Sequence, residues 1–178
     1  MEHYQEAADG TTYDNGYGIC LIPQTQVTTA KWNEIMTVKD GYKASTIHTS
    51  TLPTIVSKLE NVLGNHIVTR NVLLSSSVDP NYYSNAYTWT TSKATLMSIG
   101  QMNGIFGSYS TKYDDGEANY KLPIFNSKEF TADYSYWSRG VGGKYEGCAW
   151  LVGKGTTNNQ GNIHVVHAFR VCPLIYLR

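Results

Sequence analysis

The chain has 178 residues, a formal net charge of zero and only 16% charged residues. Its length fits one domain, and the equal numbers of basic and acidic residues, 14 of each, exclude a bulk electrostatic grip on nucleic acid or on an anionic membrane. No apolar run is long enough for a membrane span, and the acidic segment 1–10 does not resemble a signal peptide. We therefore predict one domain over 1–178, with 1–18 as a candidate N-terminal extension, no membrane insertion and no nucleic-acid partner.

The composition is rich in residues that suit recognition surfaces. There are 14 Tyr, 4 Trp and 16 Gly, and Asn, Ser and Thr make up much of the rest. Rigid aromatic side chains combined with small polar ones are typical of binding loops. Tyr and Thr also favour β-strands, which is the structural alternative for any one of these residues.

The first half of the chain predicts two helices among short strands. Cys20, Leu21 and Ile22 predict a strand that ends at Pro23, and 24–29 continues it as an edge strand or a loop. A turn starts at Ser45, and a helix follows whose capping residue is Ser50 or Thr51 and which ends at Gly64. Its apolar face consists of residues spaced by three and four: Leu52, Ile55, Val56, Leu59, Val62 and Leu63.

Later segments alternate between strand and loop signals. Residues 67–74 predict a strand, 75–80 a loop, and the alternation around Tyr87 and Trp89 another strand. The second helix is predicted to start with Ser92 as its cap, and its apolar face is formed by Leu96, Met97, Ile99 and Met102. A short strand is predicted at 122–125, around Pro123.

The last third predicts a small sheet with long polar connections. Strands are expected at 136–137, 149–152, 163–166 and 169–177, and Gly161-Asn162 resembles a hairpin turn. The fold class is therefore α+β, with two helices packed on a small twisted antiparallel sheet and a loop-rich C-terminal half.

No motif for catalysis is evident. The chain lacks a glycine-rich phosphate loop, a Gly-x-Ser-x-Gly motif and a His-Glu-x-x-His motif, and no cofactor is expected. His164 and His167 are three residues apart, a spacing that places them on opposite faces of a strand and is poor for a shared metal. The acidic segment 113–117 predicts a solvated turn, with a loose Ca²⁺ site as the alternative.

A sequence pattern near the C-terminus carries a resemblance to a known family. Tyr136-Trp137-Ser138-Arg139 and Cys148-Ala149-Trp150-Leu151-Val152 are separated by a glycine-rich loop, and Phe169-Arg170-Val171-Cys172-Pro173 follows a second polar loop. This order resembles the C-type-lectin-fold variable proteins of diversity-generating retroelements, which include phage tropism determinants. It also resembles the formylglycine-generating-enzyme-like branch of that fold. The calcium-binding lectin signatures Glu-Pro-Asn and Trp-Asn-Asp are absent.

The resemblance implies a C-type-lectin-like fold in which loops display the ligand-binding residues. Trp137, Trp150, Phe169 and Arg170 are then scaffold, and Cys148 and Cys172 are buried free thiols, with a bridge between them as the alternative. The ligand-binding residues implied between and beside these strands are Arg139, Lys144, Tyr145, Glu146, Lys154, Thr156, Asn158, Asn159, His164 and His167.

Three functions follow from the resemblance and the composition. The first is a non-enzymatic phage receptor-binding protein on the virion surface, made in the host cytoplasm, that binds a host surface protein or glycan and can form a homo-oligomer. The second is a structural capsid or tail decoration protein that docks on other virion proteins, which apolar loop tips would favour. The third is an enzyme of the formylglycine-generating type, which requires a reactive Cys pair or a copper site.

Overall fold

The computed structural model describes residues 19–23, 27–103, 123–126, 134–141, 145–153 and 159–178. Within these residues the chain forms ten β-strands, two α-helices and several short 3₁₀ or π-helical turns, so the α+β class is confirmed. The strands belong to three sheets of three, five and two strands. The prediction of a single small antiparallel sheet is therefore wrong, because the structure has three sheets and one of them is a separate hairpin in the N-terminal half.

Helix α1 (Leu52–Leu63) has the predicted bounds and most of the predicted apolar face. Its first turns bury Leu52, Ile55 and Val56, whereas Val62 is 83% exposed and does not belong to the core. The predicted side-chain cap is wrong: Thr51 makes no capping hydrogen bond. A π-helical turn at Ile47–Thr51 precedes the helix directly, so its first N–H groups have backbone partners.

A three-stranded antiparallel sheet joins the two ends of the described chain. Its central strand β10 (Pro173–Leu177) pairs with β1 (Ile19–Leu21) on one side and with β5 (Ala94–Leu96) on the other. The predicted helix start at Ser92 is wrong because residues 94–96 extend to pair with β10. Helix α2 (Ile99–Asn103) begins later, where Ser98 and Gln101 cap each other through Oγ and Oε1.

The second sheet is a long hairpin formed by β3 (Arg70–Val78) and β4 (Ser84–Ser92). The loop predicted to begin at residue 75 begins only after Val78, because 75–78 continue the strand through irregular pairing. At the tip, Asp79 Oδ1 accepts hydrogen bonds from the backbone N–H groups of Asn81 and Tyr83.

The third sheet has five strands in the order β2, β9, β6, β7, β8. Their bounds are β2 (Thr28–Lys31), β6 (Tyr136–Val141), β7 (Cys148–Val152), β8 (Asn159–His164) and β9 (Ala168–Val171). Strand β6 is parallel to β9, and the other pairs are antiparallel. The predicted turn at Gly161-Asn162 is wrong, since both residues lie inside β8. The strand predicted at 122–125 is a 3₁₀ turn at Pro123–Asn126.

Aromatic side chains connect neighbouring strands of this sheet. Trp137 is fully buried, donates from Nε1 to the Ala30 carbonyl at 2.9 Å and stacks edge-on against Phe169. Arg170 places its guanidinium 5.0 Å from the centre of the Tyr134 ring, a cation–π contact within the scaffold. These contacts connect neighbouring strands of the sheet, which supports the loops at the strand ends.

Candidate ligand-binding face

The ten residues predicted for ligand binding fall into different environments. Tyr145, Glu146, His164 and His167 are exposed. Asn159 lies in β8 opposite Val152. Arg139 is buried. The remaining four lie outside the described residues: Lys144, Lys154, Thr156 and Asn158.

The placement of Arg139 on a display surface is wrong. It lies in β6, which runs between β9 and β7 and has all six of its residues buried. Only 1% of Arg139 is exposed, and its backbone N–H donates to the Met97 carbonyl at 3.1 Å. A side chain at the centre of a covered sheet does not reach a ligand outside the protein.

The four exposed residues belong to a surface that we call the loop face. It consists of four segments: 33–39 after β2, the hairpin tip 79–83, the turn 145–147 before β7, and the turn 164–167 between β8 and β9. These segments are far apart in the chain, and the strands that carry them end on the same side of the molecule. Rigid strands with loops at their ends are the usual support for a binding surface.

Backbone contacts join the four segments. The Val165 N–H donates to the Gly147 carbonyl at 2.8 Å, and the Asn33 N–H donates to the Val165 carbonyl at 3.1 Å. Met36 lies so close to Gly147, which has a φ of +71°, that a Cβ there would collide with the Met36 side chain. The hairpin joins through the Val78 N–H, which donates to the Lys39 carbonyl at 3.2 Å. The loop face is therefore one connected surface.

Large hydrophobic side chains are exposed on the loop face. Ile35 is 67% exposed, Met36 55% and Tyr145 54%, and Met36 and Tyr145 belong to the two segments that meet at Gly147. Of the six exposed large hydrophobic residues in the described part of the chain, these three lie on this one surface. Adjacent exposed apolar side chains with a polar surround are typical of interaction sites.

Two histidines lie at the edge of this surface. The prediction that His164 and His167 face opposite ways is wrong, because β8 ends at His164 and a turn follows, closed by a hydrogen bond from the His167 N–H to the His164 carbonyl. Their ring centres are 6.0 Å apart. His164 Nδ1 also lies 3.8 Å from the Cys148 sulfur. Even so, the described residues contain no group of three or more His, Cys, Asp or Glu side chains arranged to hold a metal.

The buried thiols have little nucleophilic character. All three cysteines are free, so Cys148 and Cys172 do not form the alternative bridge. Burial raises the pKa of Cys148 above that of an ordinary thiol, and burial raises the pKa of Cys172 to about 12. Both thiols are therefore protonated at neutral pH, the opposite of what a catalytic thiolate requires.

A cavity of about 300 Å³ opens beside the exposed apolar residues. Its walls come from three of the four segments: Thr37 and Lys39, the hairpin tip with Asp79 and Tyr82, and Glu146. Its volume is at the lower end of the range for ligand pockets, about 300–1,000 Å³. Tyr82 has a φ of +63°, a left-handed conformation that is rare for a bulky residue and here belongs to the turn of the hairpin.

Sequence reasoning missed the residues that 33–39 and the hairpin tip contribute. Ile35 and Met36 are apolar residues between the polar residues Glu34 and Thr37, and they fit neither the helical nor the strand period. Such a non-periodic apolar pair was the available signal for an exposed contact residue. Nothing in the sequence predicts that the tip at Tyr82 packs beside Glu146, because that contact depends on the length of the hairpin.

Comparisons with known proteins add no relative. No protein-family model, curated protein or solved structure matches the chain. In the part of the chain that the structure describes, no helix is long and apolar enough to cross a membrane. The chemistry of the loop face is therefore the basis for a function.

Proposed function

We propose that the protein is a non-enzymatic ligand-binding domain that attaches to a host cell surface through its loop face. The observation that carries this proposal is the meeting of four loops around Ile35, Met36 and Tyr145, all more than half exposed. Binding energy in protein interfaces comes mainly from a few large side chains of this kind that lose water on contact. The protonated state of the two buried thiols supports a role without cysteine chemistry.

The finer parts of the proposal rest on the sequence resemblance. We infer a C-type-lectin-like fold and a place on the virion surface as a phage receptor-binding protein, of the kind diversified by retroelements. The α+β class and the order of strands in 136–174 support this fold. Many copies on one particle would raise the avidity of a weak single site without new contacts.

A second function, docking on another virion protein, is favoured by one observation. Ile35 and Met36 are aliphatic and exposed at a loop tip, which suits a permanent protein interface. The polar residues Glu146, His164 and His167 on the same surface suit a reversible contact better. Receptor binding therefore remains the leading proposal.

Fluorescently labelled protein added to candidate bacterial hosts and to phage particles that lack it tests the two functions. Receptor binding predicts saturable binding to one host that excess unlabelled protein displaces. Binding to the particles alone would establish the structural role and refute receptor binding. Cells treated with protease, compared with cells treated with periodate, identify a protein or a glycan as the ligand.

A further inference from the structure

The cavity walled by Thr37, Lys39, Asp79, Tyr82 and Glu146 lies beside the apolar part of the loop face, because two of its wall residues directly follow exposed apolar residues in the chain. Thr37 follows Met36 in the chain, and Glu146 follows Tyr145. A partner that covers Ile35, Met36 and Tyr145 therefore comes within reach of this cavity. The charges of the cavity walls then decide which side chain of the partner enters it.

The walls carry more negative than positive charge. Asp79 and Glu146 are carboxylates, and Lys39 is the one cation among the described residues that line the cavity. Within the described part of the chain neither carboxylate forms a salt bridge; the two bridges there join Lys31 to Glu34 and Lys93 to Glu60. The two acidic groups are therefore available to an incoming cation.

The hairpin tip contributes one oriented carboxylate and one tyrosine to the cavity walls. Asp79 Oδ1 accepts two backbone hydrogen bonds, at 2.8 and 2.9 Å, and these orient the carboxylate. Tyr82 lines the cavity at the same tip. A tyrosine ring beside carboxylates suits a guanidinium or ammonium group, since the ring face attracts cations. The arrangement needs little reorganisation when a cation enters.

We propose that the partner is a protein segment that inserts an arginine or lysine side chain into this cavity and lays a neighbouring apolar side chain on Ile35, Met36 and Tyr145. This inference rests on the proposed function and deepens it by naming the class of ligand. Charge complementarity with the cavity and the apolar character of the adjoining surface both favour a protein segment over a neutral sugar, which carries neither a cation nor an aliphatic side chain.

The test uses N-acetyl-arginine amide as the probe and the citrulline analogue, which has nearly the same shape without the charge, as its control. Backbone amide NMR shifts of Tyr82 and Glu146 report binding. We expect arginine amide to shift both signals and citrulline amide to bind more weakly. Glu146→Gln should weaken arginine binding by about two- to fivefold, and Lys39→Gln should strengthen it by a similar factor, as expected for exposed charge pairs.

The two variants with opposite expected effects separate the cation from other ligands. The proposal is overturned if the two probes bind equally well, or if both variants weaken arginine binding. It is also overturned if the NMR signals move only with protein concentration, because that would indicate a second copy of the chain as the ligand. Tighter binding of a methyl glycoside than of arginine amide would overturn it in favour of a sugar. If the probes fail while protein added to host cells still binds through the loop face, the cation site falls and the proposed function stands.

Discussion

The environment of His48 predicts that the folded protein loses stability in mild acid. Its pKa is lowered from 6.5 to about 4, mainly by burial and also by the charges of Arg139 and Lys43. Its ring packs 5.0 Å from that of Tyr42, so it is part of the core surroundings. On acidification the unfolded chain binds a proton near pH 6.5 and the folded protein only near pH 4. The contribution to stability is therefore complete above about pH 6.5 and is lost as the pH falls towards 4.

The size of the effect follows from these two pKa values. At about pH 5 the unfolded state is mostly protonated at His48 and the folded state is mostly not, which corresponds to a loss of about 2 kcal/mol relative to about pH 7.5. Urea unfolding at a series of pH values in this range measures the loss. Above about pH 5 ordinary carboxyl groups are largely ionised and add little to the slope.

The variant His48→Gln removes the titrating group and should flatten the stability–pH curve by about 2 kcal/mol over that range. Its absolute stability is expected to change as well, because the ring contact with Tyr42 is lost, and so the comparison is of slopes. His66→Gln, which removes an exposed histidine, serves as the matched control and should keep the wild-type slope. If wild type and His48→Gln lose the same stability between the two pH values, the reasoning is refuted.

Two further predictions concern packing. Gly41→Ala should destabilise the protein more than Gly64→Ala in urea unfolding. Both glycines have a positive φ, so either substitution costs about 1 kcal/mol. Only at Gly41 would the new Cβ collide with the backbone of β3, which adds about 1–3 kcal/mol. Equal losses would show that the collision is relieved at no cost. A thiol reagent should modify the partly exposed Cys20 in the native protein and should reach the buried Cys148 and Cys172 only in denaturant. Rapid modification of either buried thiol in the native protein would contradict their burial.

Much of the fold could be predicted where local pattern and tertiary packing agree. The bounds of α1 followed from its spacing of apolar residues, because the helix buries one continuous face. Strands β4 and β7 followed from β-branched and aromatic residues. The single strand predicted at 169–177 is wrong, because the chain breaks at Cys172 into β9 and β10, which belong to different sheets. The predicted helix from Ser92 failed because Ala94–Leu96 gains more by pairing with β10, at the other end of the chain, than a local helix would supply.

Only part of the candidate site could be predicted, because the site also depends on which distant segments of the chain pack together. The exposure of Tyr145 and Glu146 could be predicted because a glycine-rich connection marks a loop, and that of His164 and His167 because a turn follows their strand. Arg139 failed because a charged residue beside a glycine suggests a loop, whereas the strand order places it at the centre of a sheet. Ile35 and Met36 were missed because exposure of an apolar residue depends on which distant segments meet there.

The central claim, that the loop face binds the partner, is tested most directly by equilibrium binding of labelled protein to a host that the wild type binds. The double variant Ile35→Ser with Tyr145→Ala removes two exposed side chains of the face, and Val62→Ser changes an apolar residue on α1 that is more exposed than either. We predict that the double variant loses at least about tenfold in apparent affinity, or about 1.4 kcal/mol, with its thermal unfolding unchanged, and that Val62→Ser binds as the wild type does. Wild-type affinity in the double variant, or an equal loss in Val62→Ser, would contradict the account.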